Sequence, residues 1–213
     1  MRFHYLQPDH AATAPRHGWS SLTGLLKIIV AALVGATLGL SATWYALGGG
    51  VTFGFVELGP WRGNARAAYA DADPYTRAAR ARTGKAPLSQ AEGLTFFAAV
   101  DDNGVQLDSR CTYRIVGAMP AARVWTLAAF DLSGKPIAND TGRNALSSVE
   151  IVRDQDGRFE VIVASAARAG NWLPIAPVDT FQLMLRLYDA TGSAAAGVMS
   201  REQMPSIIKG SCS

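Results

Sequence analysis

No histidine follows His17, and no charged side chain occurs between Ile28 and Val56. The first absence restricts chemistry most. His4, His10 and His17, the three histidines of the 213-residue chain, all precede the uncharged run. Ser-His-Asp and Cys-His nucleophilic catalysis and ordinary His-based zinc sites are therefore excluded beyond that run. Cysteine is scarce as well, with only Cys111 and Cys212, and no C-x-x-C pair to support a thioredoxin-like redox role. Neither a Walker-type phosphate loop nor a dinucleotide fingerprint occurs. No cofactor and no metal are expected. Charged residues make up 17% of the chain, below the roughly 25% of a soluble domain, and the deficit lies in the one uncharged stretch. The formal charge is +3, but Lys and Arg are interspersed with Asp and Glu. A nucleic-acid reader clusters them on one stripe or helix, so no nucleic-acid partner is expected.

What the uncharged stretch contains is a membrane span. Ile28 to Leu47 is about 20 residues, or about 30 Å as a helix, which matches the hydrocarbon core of a bilayer. Lys27 marks one edge, Trp44-Tyr45 sits near the other, and Gly48-Gly49-Gly50 ends the helix. The run exceeds the apolar core of a cleaved signal peptide and no clean Ala-x-Ala site follows, so it reads as a retained signal anchor. Arg2, Arg16 and Lys27 precede it while Arg62 and Arg66 follow, a balance that leans toward a cytoplasmic N-terminus. Gly35-x-x-x-Gly39 inside the span would let a second helix approach closely, as in a homodimer, or reflects only the small residues common in such helices.

Residues 1–27 have little hydrophobic periodicity and read as a disordered cytoplasmic tail. Residues 48–92 read as an exit segment, with Asp73-Pro74 starting a short basic juxtamembrane helix that ends near Gly84. From residue 93 to 213 the pattern is that of strands. Thr95–Val100, Arg110–Gly117, Arg123–Asp131, Val149–Arg153, Phe159–Ser165 and Phe181–Tyr188 are rich in Val, Ile, Thr and aromatics. Cys111, Tyr113 and Ile115 share one face of their strand, and Trp125 alternates with Leu127 as core. Asp101-Asp-Asn-Gly104, Asp131-Leu-Ser-Gly134, Asp154-Gln-Asp-Gly157 and Asp189-Ala-Thr-Gly192 are turn signals. The fold class is mainly β: a jelly-roll-like antiparallel β-sandwich preceded by one transmembrane helix and the short helix. Cys111 and Cys212 both follow the span. In an oxidising compartment they form one disulfide pinning the C-terminal tail, or else remain two buried thiols.

Carboxylates could still perform acid–base work, since a sandwich carrying two of them could cleave a glycosidic bond. Most of them, however, sit in Asp-x-x-Gly turns, where the side chain has a local backbone role. Asp154-x-Asp156-Gly157 is not an EF-hand calcium loop, because Ser165 stands where that loop needs Glu.

Read in order, Cys111-Thr-Tyr-Arg, Ala122 to Leu127, Asn139 to Arg143, Leu146-Ser-Ser148, Gly170-Asn-Trp-Leu-Pro174 and Leu185-Arg-Leu-Tyr188 resemble the bacterial family called domain of unknown function 1214. Asp73-Pro-Tyr75, Ala81 to Gly84 and Glu92-Gly93 resemble its small membrane-anchored branch. The resemblance covers roughly residues 60–212. It implies a sandwich in a bacterial envelope protein, hence a single-pass inner-membrane protein with a periplasmic domain. It also implies association with a protein carrying domain of unknown function 1254, and no established chemistry. Asp179-Thr180 departs from the usual Gly-Pro. Within these motifs Asn171 and Trp172 lie in a connection where binding residues often sit. Trp172 would stack on a sugar, plug a partner's pocket, or cap the core. Arg143 and Arg186 would recognise an anion or pair with strand carboxylates. The function expected is a non-catalytic binding or accessory module for another envelope protein. The alternative is a carboxylate-dependent hydrolase of an envelope glycan or lipid-linked substrate.

Overall fold

The computed structural model describes residues 20–48, 56–63, 92–190 and 199–212, with single positions at 74, 77, 78, 81 and 88. The chain divides into two compact units, Met1–Gly49 and Gly50–Ser213. The first contains helix α1, Ser20–Gly48. Within it Thr23–Ala46 is long and apolar enough to cross a membrane, and its apolar side chains are exposed rather than packed on protein. A helix apolar all round needs an apolar solvent or a protein core. The hydroxyls of Thr37 and Thr43 donate back to the carbonyls of Leu33, Val34 and Gly39, so each is satisfied within the helix itself. The helix begins upstream of the expected boundary. Leu22 to Lys27 extends a helix already nucleated, at little further cost per residue. Of the expected tail, residues 1–19 lie outside the described residues, as does most of the juxtamembrane helix at 74–83.

Among the described residues of the second unit, ten strands form two sheets. In chain order they are β1 Val56–Leu58, β2 Trp61–Gly63, β3 Gly93–Ala98, β4 Cys111–Gly117 and β5 Ala122–Phe130. There follow β6 Ala145–Ser147, β7 Phe159–Ala164, β8 Asn171–Pro174, β9 Gln182–Ala190 and β10 Ser206–Cys212. One sheet has the order β1-β2-β3-β9-β5-β6 and the other β10-β4-β7-β8. The mainly β, two-sheet architecture is as expected. One departure is that β8 runs parallel to β7, so the smaller sheet is mixed rather than wholly antiparallel.

Period-two alternation assigns each inner face. Trp125, Leu127 and Ala129 of β5 and Leu183, Leu185 and Leu187 of β9 point inward, against Tyr113, Ile115, Val161, Val163, Leu173 and Ile207 of the smaller sheet. Trp125 and Phe159 meet across the interface with ring centroids 5.1 Å apart. Two buried polar tips find partners: Trp61 Nε1 donates to the Pro205 carbonyl at 2.8 Å, and Tyr113 Oη accepts the Asp108 N–H at 2.9 Å; Trp125 Nε1 is buried without one.

Three of the four Asp-x-x-Gly signals form turns of one design. In each the Asp Oδ1 accepts the N–H four residues on, at 2.9 Å for Asp101, 2.8 Å for Asp131 and 2.7 Å for Asp154. Gly104, Gly134 and Gly157 take the positive φ that closes the turn. Of the fourth signal, Asp189 and Ala190 end β9, and residues 191 and 192 lie outside the described residues.

Several boundaries differ from the sequence reading. The exit segment 48–92 carries the β1–β2 hairpin, and Leu58 and Trp61 bury fully enough to belong to the core. Three-residue strands offer too little pattern to stand out. Val149–Arg153 is not a strand. The Glu150 N–H donates to the Ser147 carbonyl while its carboxylate accepts the Ser147 N–H, closing a turn after β6. Conversely, residues 171–174, read as a connection, are strand β8.

Cys111 and Cys212 form a disulfide, closing a separation of 101 residues. Ser206 to Lys209 pair with Val116 to Tyr113 in one register, which would set Cys111 opposite Ser211. A bulge after Lys209 shifts the register so that Cys212 faces Cys111. In the full-length protein in non-ionic detergent, the double variant Cys111→Ser/Cys212→Ser should unfold at lower urea, with about 2–4 kcal/mol less stability. An unchanged midpoint would mean that the β4–β10 ladder alone holds the C-terminus.

Candidate functional site

The expected binding residues divide between the two sheets. Asn171 and Trp172 open β8, at the edge of the smaller sheet. Asn171 is spent on structure: its Oδ1 accepts the Val152 N–H at 2.7 Å, and its Nδ2 donates to the carbonyls of Val152 and Glu160 at 2.8 and 2.9 Å. This clamp holds segment 151–154 against β7. Trp172 faces outward, in line with Ile162, Arg114 and Ile208 on neighbouring strands. Its Nε1 donates to the Ala164 carbonyl at 3.0 Å, leaving the ring half-buried on the outer face. It does not cap the core, since Leu173 takes the inward position.

Beside Asn171 lies an open groove of about 580 Å³, lined by Val116, Val152, Arg153, Arg158, Phe159, Ile162 and their neighbours. Arg153 spans its inner end, its guanidinium carbon 6.0 Å from the Trp125 ring centroid and 5.8 Å from that of Phe159, within cation–π range. Val152 is 73% exposed on the rim and Val149, nearby in the chain, is 79% exposed. The groove is not legible in the sequence, because Val149–Arg153 has the composition of a strand. The available signal was Glu150, a carboxylate placed to turn the chain back on Ser147.

Arg143 and Arg186 do not join Asn171. Arg143 is exposed in a loop framed by Asn139, whose Nδ2 donates to the Arg143 carbonyl at 2.9 Å. Its guanidinium has no carboxylate partner among the described residues. Arg186 lies on the outer face of the larger sheet, between Thr95 of β3 and Thr126 of β5. It is half-buried, and its Nε and the neighbouring Thr95 Oγ1 are buried with no hydrogen-bond partner. Gly35 and Gly39 have nothing within 4 Å of where a Cβ would stand.

Several of the carboxylates are occupied in ion pairs. Asp108 pairs with Arg110, Glu160 with Arg114 and Asp102 with Arg201. The side-chain and backbone donors of Arg110 hold the Asp108 carboxyl at about 2, and Arg114 holds Glu160 below the usual carboxylate range. Asp131 is lowered by the Ser133 hydroxyl and then the Lys135 N–H, and Glu202 first by the Ser200 hydroxyl. Every resolved shift of a carboxylate is thus downward. A general acid for glycoside cleavage needs the opposite. Among the described residues, no group of three or more His, Cys, Asp or Glu could hold a metal.

Two outcomes follow from these contacts. Asn171→Ala should cost about 1–3 kcal/mol in urea unfolding by leaving Val152 and Glu160 backbone groups unpaired. An equal midpoint would mean that water replaces the clamp. For Asp108, whose folded pKa is depressed, the stabilisation is present above the ordinary carboxylate value of 3.8 and is lost as pH falls through about 2. Asp108→Asn should flatten the acid limb of melting temperature against pH in that window, and an unaltered limb would refute the assignment.

Residues 92–192 match the model of the family described as "Protein of unknown function (DUF1214)". The fold is similar to that of the VPA0106 protein from Vibrio parahaemolyticus, with a TM-score of 0.56 and 20% identity, over 84% of this chain and 44% of that one. The chain thus spans less than half the length of that relative. An uncharacterised protein from Burkholderia cenocepacia aligns with a TM-score of 0.37 and 19% identity, over 58% of this chain and 30% of that one. No curated protein matches. The match to the model of domain of unknown function 1214 spans residues 92–192, a little under half of the chain.

Proposed function

We propose that this chain is a single-pass, signal-anchored protein of the bacterial inner membrane, with its N-terminus cytoplasmic. Its jelly-roll-like periplasmic sandwich acts as a non-catalytic binding or accessory module for another envelope protein. The observation that carries the reading is the groove beside Asn171, with Val152 presented to solvent in a segment clamped by hydrogen bonds and Val149 exposed in the turn just before it. Exposed apolar side chains on a rigid rim suit a protein partner, because association removes them from water without first ordering the segment. Anchoring is supported by the apolar helix with no protein packed on it, and by the resemblance to the membrane-anchored branch. The periplasmic side is supported by the disulfide, since both cysteines follow the helix and such bonds persist in oxidising compartments. A protein carrying domain of unknown function 1254 is the partner we favour. The lowered carboxylates weigh against the hydrolase.

Two experiments test this. In intact spheroplasts the domain should be cleaved by added protease, and its thiols should label only after reduction and unfolding. Protection from protease would reverse the orientation. A tagged full-length protein, gently solubilised from its own envelope, should capture a near-equimolar protein with the 1254 domain. Val149→Asp/Val152→Asp should lose at least ten times in recovery of that protein while keeping the disulfide and a cooperative unfolding transition. Equal recovery with the double variant, or the chain coming down alone, would overturn the groove as docking surface.

A further inference from the structure

A second cavity lies where the disulfide joins β4 to β10. Its volume is about 120 Å³, and three stretches of chain build its walls. Arg110 and Thr112 come from the entry to β4, Ser165 and Arg168 from the connection between β7 and β8, and Ser211 from the end of β10. Cys111 and Cys212 line it too, so the bridge ties two of these walls together. The sheet ladders open at this point. Thr112 has no register partner on β10 or β7, and Gly210 and Ser211 fall in the bulge after Lys209 and have none either. Bulges re-aim side chains and recur next to active sites.

The lining is cationic and rich in hydroxyls, and it contains no carboxylate. Arg110, Ser165, Arg168 and Ser211 are exposed and Thr112 is half-buried, so the cavity is reached from solvent. Ser109, at the buried floor, is already used, since its hydroxyl donates to the Val178 carbonyl. Arg110 is fixed in place by Asp108, which accepts from its Nε and Nη2 and balances its charge. Arg168 is different. Its guanidinium has no carboxylate partner among the described residues. Its Nη1 reaches the carbonyl of the preceding Ala167 at 3.4 Å, beyond the usual length of such a bond. An oxyanion in the cavity would supply the counter-charge that the fold itself does not.

We propose that this cavity binds a phosphoryl group, the monoester phosphate of a lipid headgroup or of a small soluble compound. Arg168 and Arg110 would hold its charge, and Thr112, Ser165 and Ser211 would donate their hydroxyls. A carboxylate is planar and is satisfied by one guanidinium fork. The donors here come from three stretches of chain around a cavity, which suits oxygens pointing in several directions. A phosphoryl group carries three strong acceptor oxygens and a charge of about −1.5 to −2 at neutral pH. The size agrees. Pockets for drug-sized ligands run to roughly 300–1,000 Å³, so about 120 Å³ admits the phosphate and leaves the rest of the ester in solvent. The walls from β4 and β10 keep their spacing only while the bridge is closed. That a membrane supplies the ester rests on the anchored reading proposed above, whereas the site itself does not.

The test uses the full-length protein in a maltoside detergent, which carries no phosphorus, titrated with glycerol 3-phosphate and followed by phosphorus-31 NMR of the ligand. Expected is saturable binding at one ester per chain. Arg168→Met should weaken it at least tenfold and Ser211→Ala several-fold. Arg168→Met should keep the urea midpoint of the ligand-free chain, and glycerol 3-phosphate should raise the midpoint of the native chain but not of this variant. Binding should strengthen several-fold from about pH 5 to about pH 7, because the ester takes its second charge near pH 6. Arg123→Met, at an exposed position on β5 of the other sheet, should bind normally, and Cys111→Ser/Cys212→Ser at least tenfold more weakly. Equal binding by Arg168→Met would overturn the proposal. So would an equal loss in Arg123→Met, which would mean diffuse charge, or acetate competing as well as the ester, which would mean a planar-anion site. Equal binding by the double serine variant would overturn the site as framed by the bridge. Phosphatidic acid in mixed micelles displacing the ester at lower concentration than inorganic phosphate does would assign the ligand to a lipid. The reverse order would assign a soluble phosphate, and either order supports the phosphoryl site. If Arg168→Met fails to fold, Ser211→Ala with the competitor series decides alone. The groove variant Val149→Asp/Val152→Asp should bind the ester normally, so failure here and failure of the docking reading are separable.

Discussion

The register of β9 governs the domain. This strand pairs with β3 on one side and β5 on the other, and its Leu183, Leu185 and Leu187 are wholly buried between the sheets. A slip of one residue against either neighbour would send these leucines to the outer face and drive Gln182, Met184 and Arg186 into the core. Burying an unpaired guanidinium there would cost far more than any single leucine returns. The two sheets consequently have one acceptable pairing. The positions of Trp125 against Phe159, and of Thr95 beside Arg186, follow from it.

Polar groups divide into those that build the frame and those left over. Asp101, Asp131 and Asp154 each replace part of a hairpin's backbone pairing with one carboxylate oxygen, so these acids are consumed in shaping turns. Asn171 does the same for a longer connection, tying segment 151–154 to β7 with three hydrogen bonds. Asp102 accepts from Arg201 and from the Ile207 N–H, covering the outer edge of β10. The exceptions to this economy are the buried, unpartnered Thr95 Oγ1, Trp125 Nε1 and Arg186 Nε, and the exposed Val149 and Val152.

Much of the frame was legible. The alternation of Cys111, Tyr113 and Ile115, and of Trp125 and Leu127, survives in the structure because a half-buried strand must show period two. The Asp-x-x-Gly signals held at 101, 131 and 154 because a glycine with positive φ and an acceptor at the first position are local requirements. Shorter strands were not legible. β1, β2, β6 and β8 span three or four residues, too few for a period to be measured, and their pairing is decided by neighbours far away in the chain. Val149–Arg153 misled because apolar residues at a turn look like a strand until the Glu150–Ser147 contact is known. Among the candidate residues, the roles of Asn171 and Trp172 were not separable in sequence.

The apolar helix, the predominance of strands, the absence of an imidazole-based centre in the domain, and the pairing partners available to two cysteines belong to the sequence. Composition and period-two patterning encode them locally. Which cysteine geometry closes, which tryptophan faces outward, and which arginine finds a carboxylate were decided only by the folded chain. Arg114 and Arg186 make the point. Both lie on strands with outward-facing side chains, and nothing within several residues distinguishes them. Register brings Glu160 to the first and Thr95 and Thr126 to the second, because cross-strand neighbours are chosen by the burial of the opposite face.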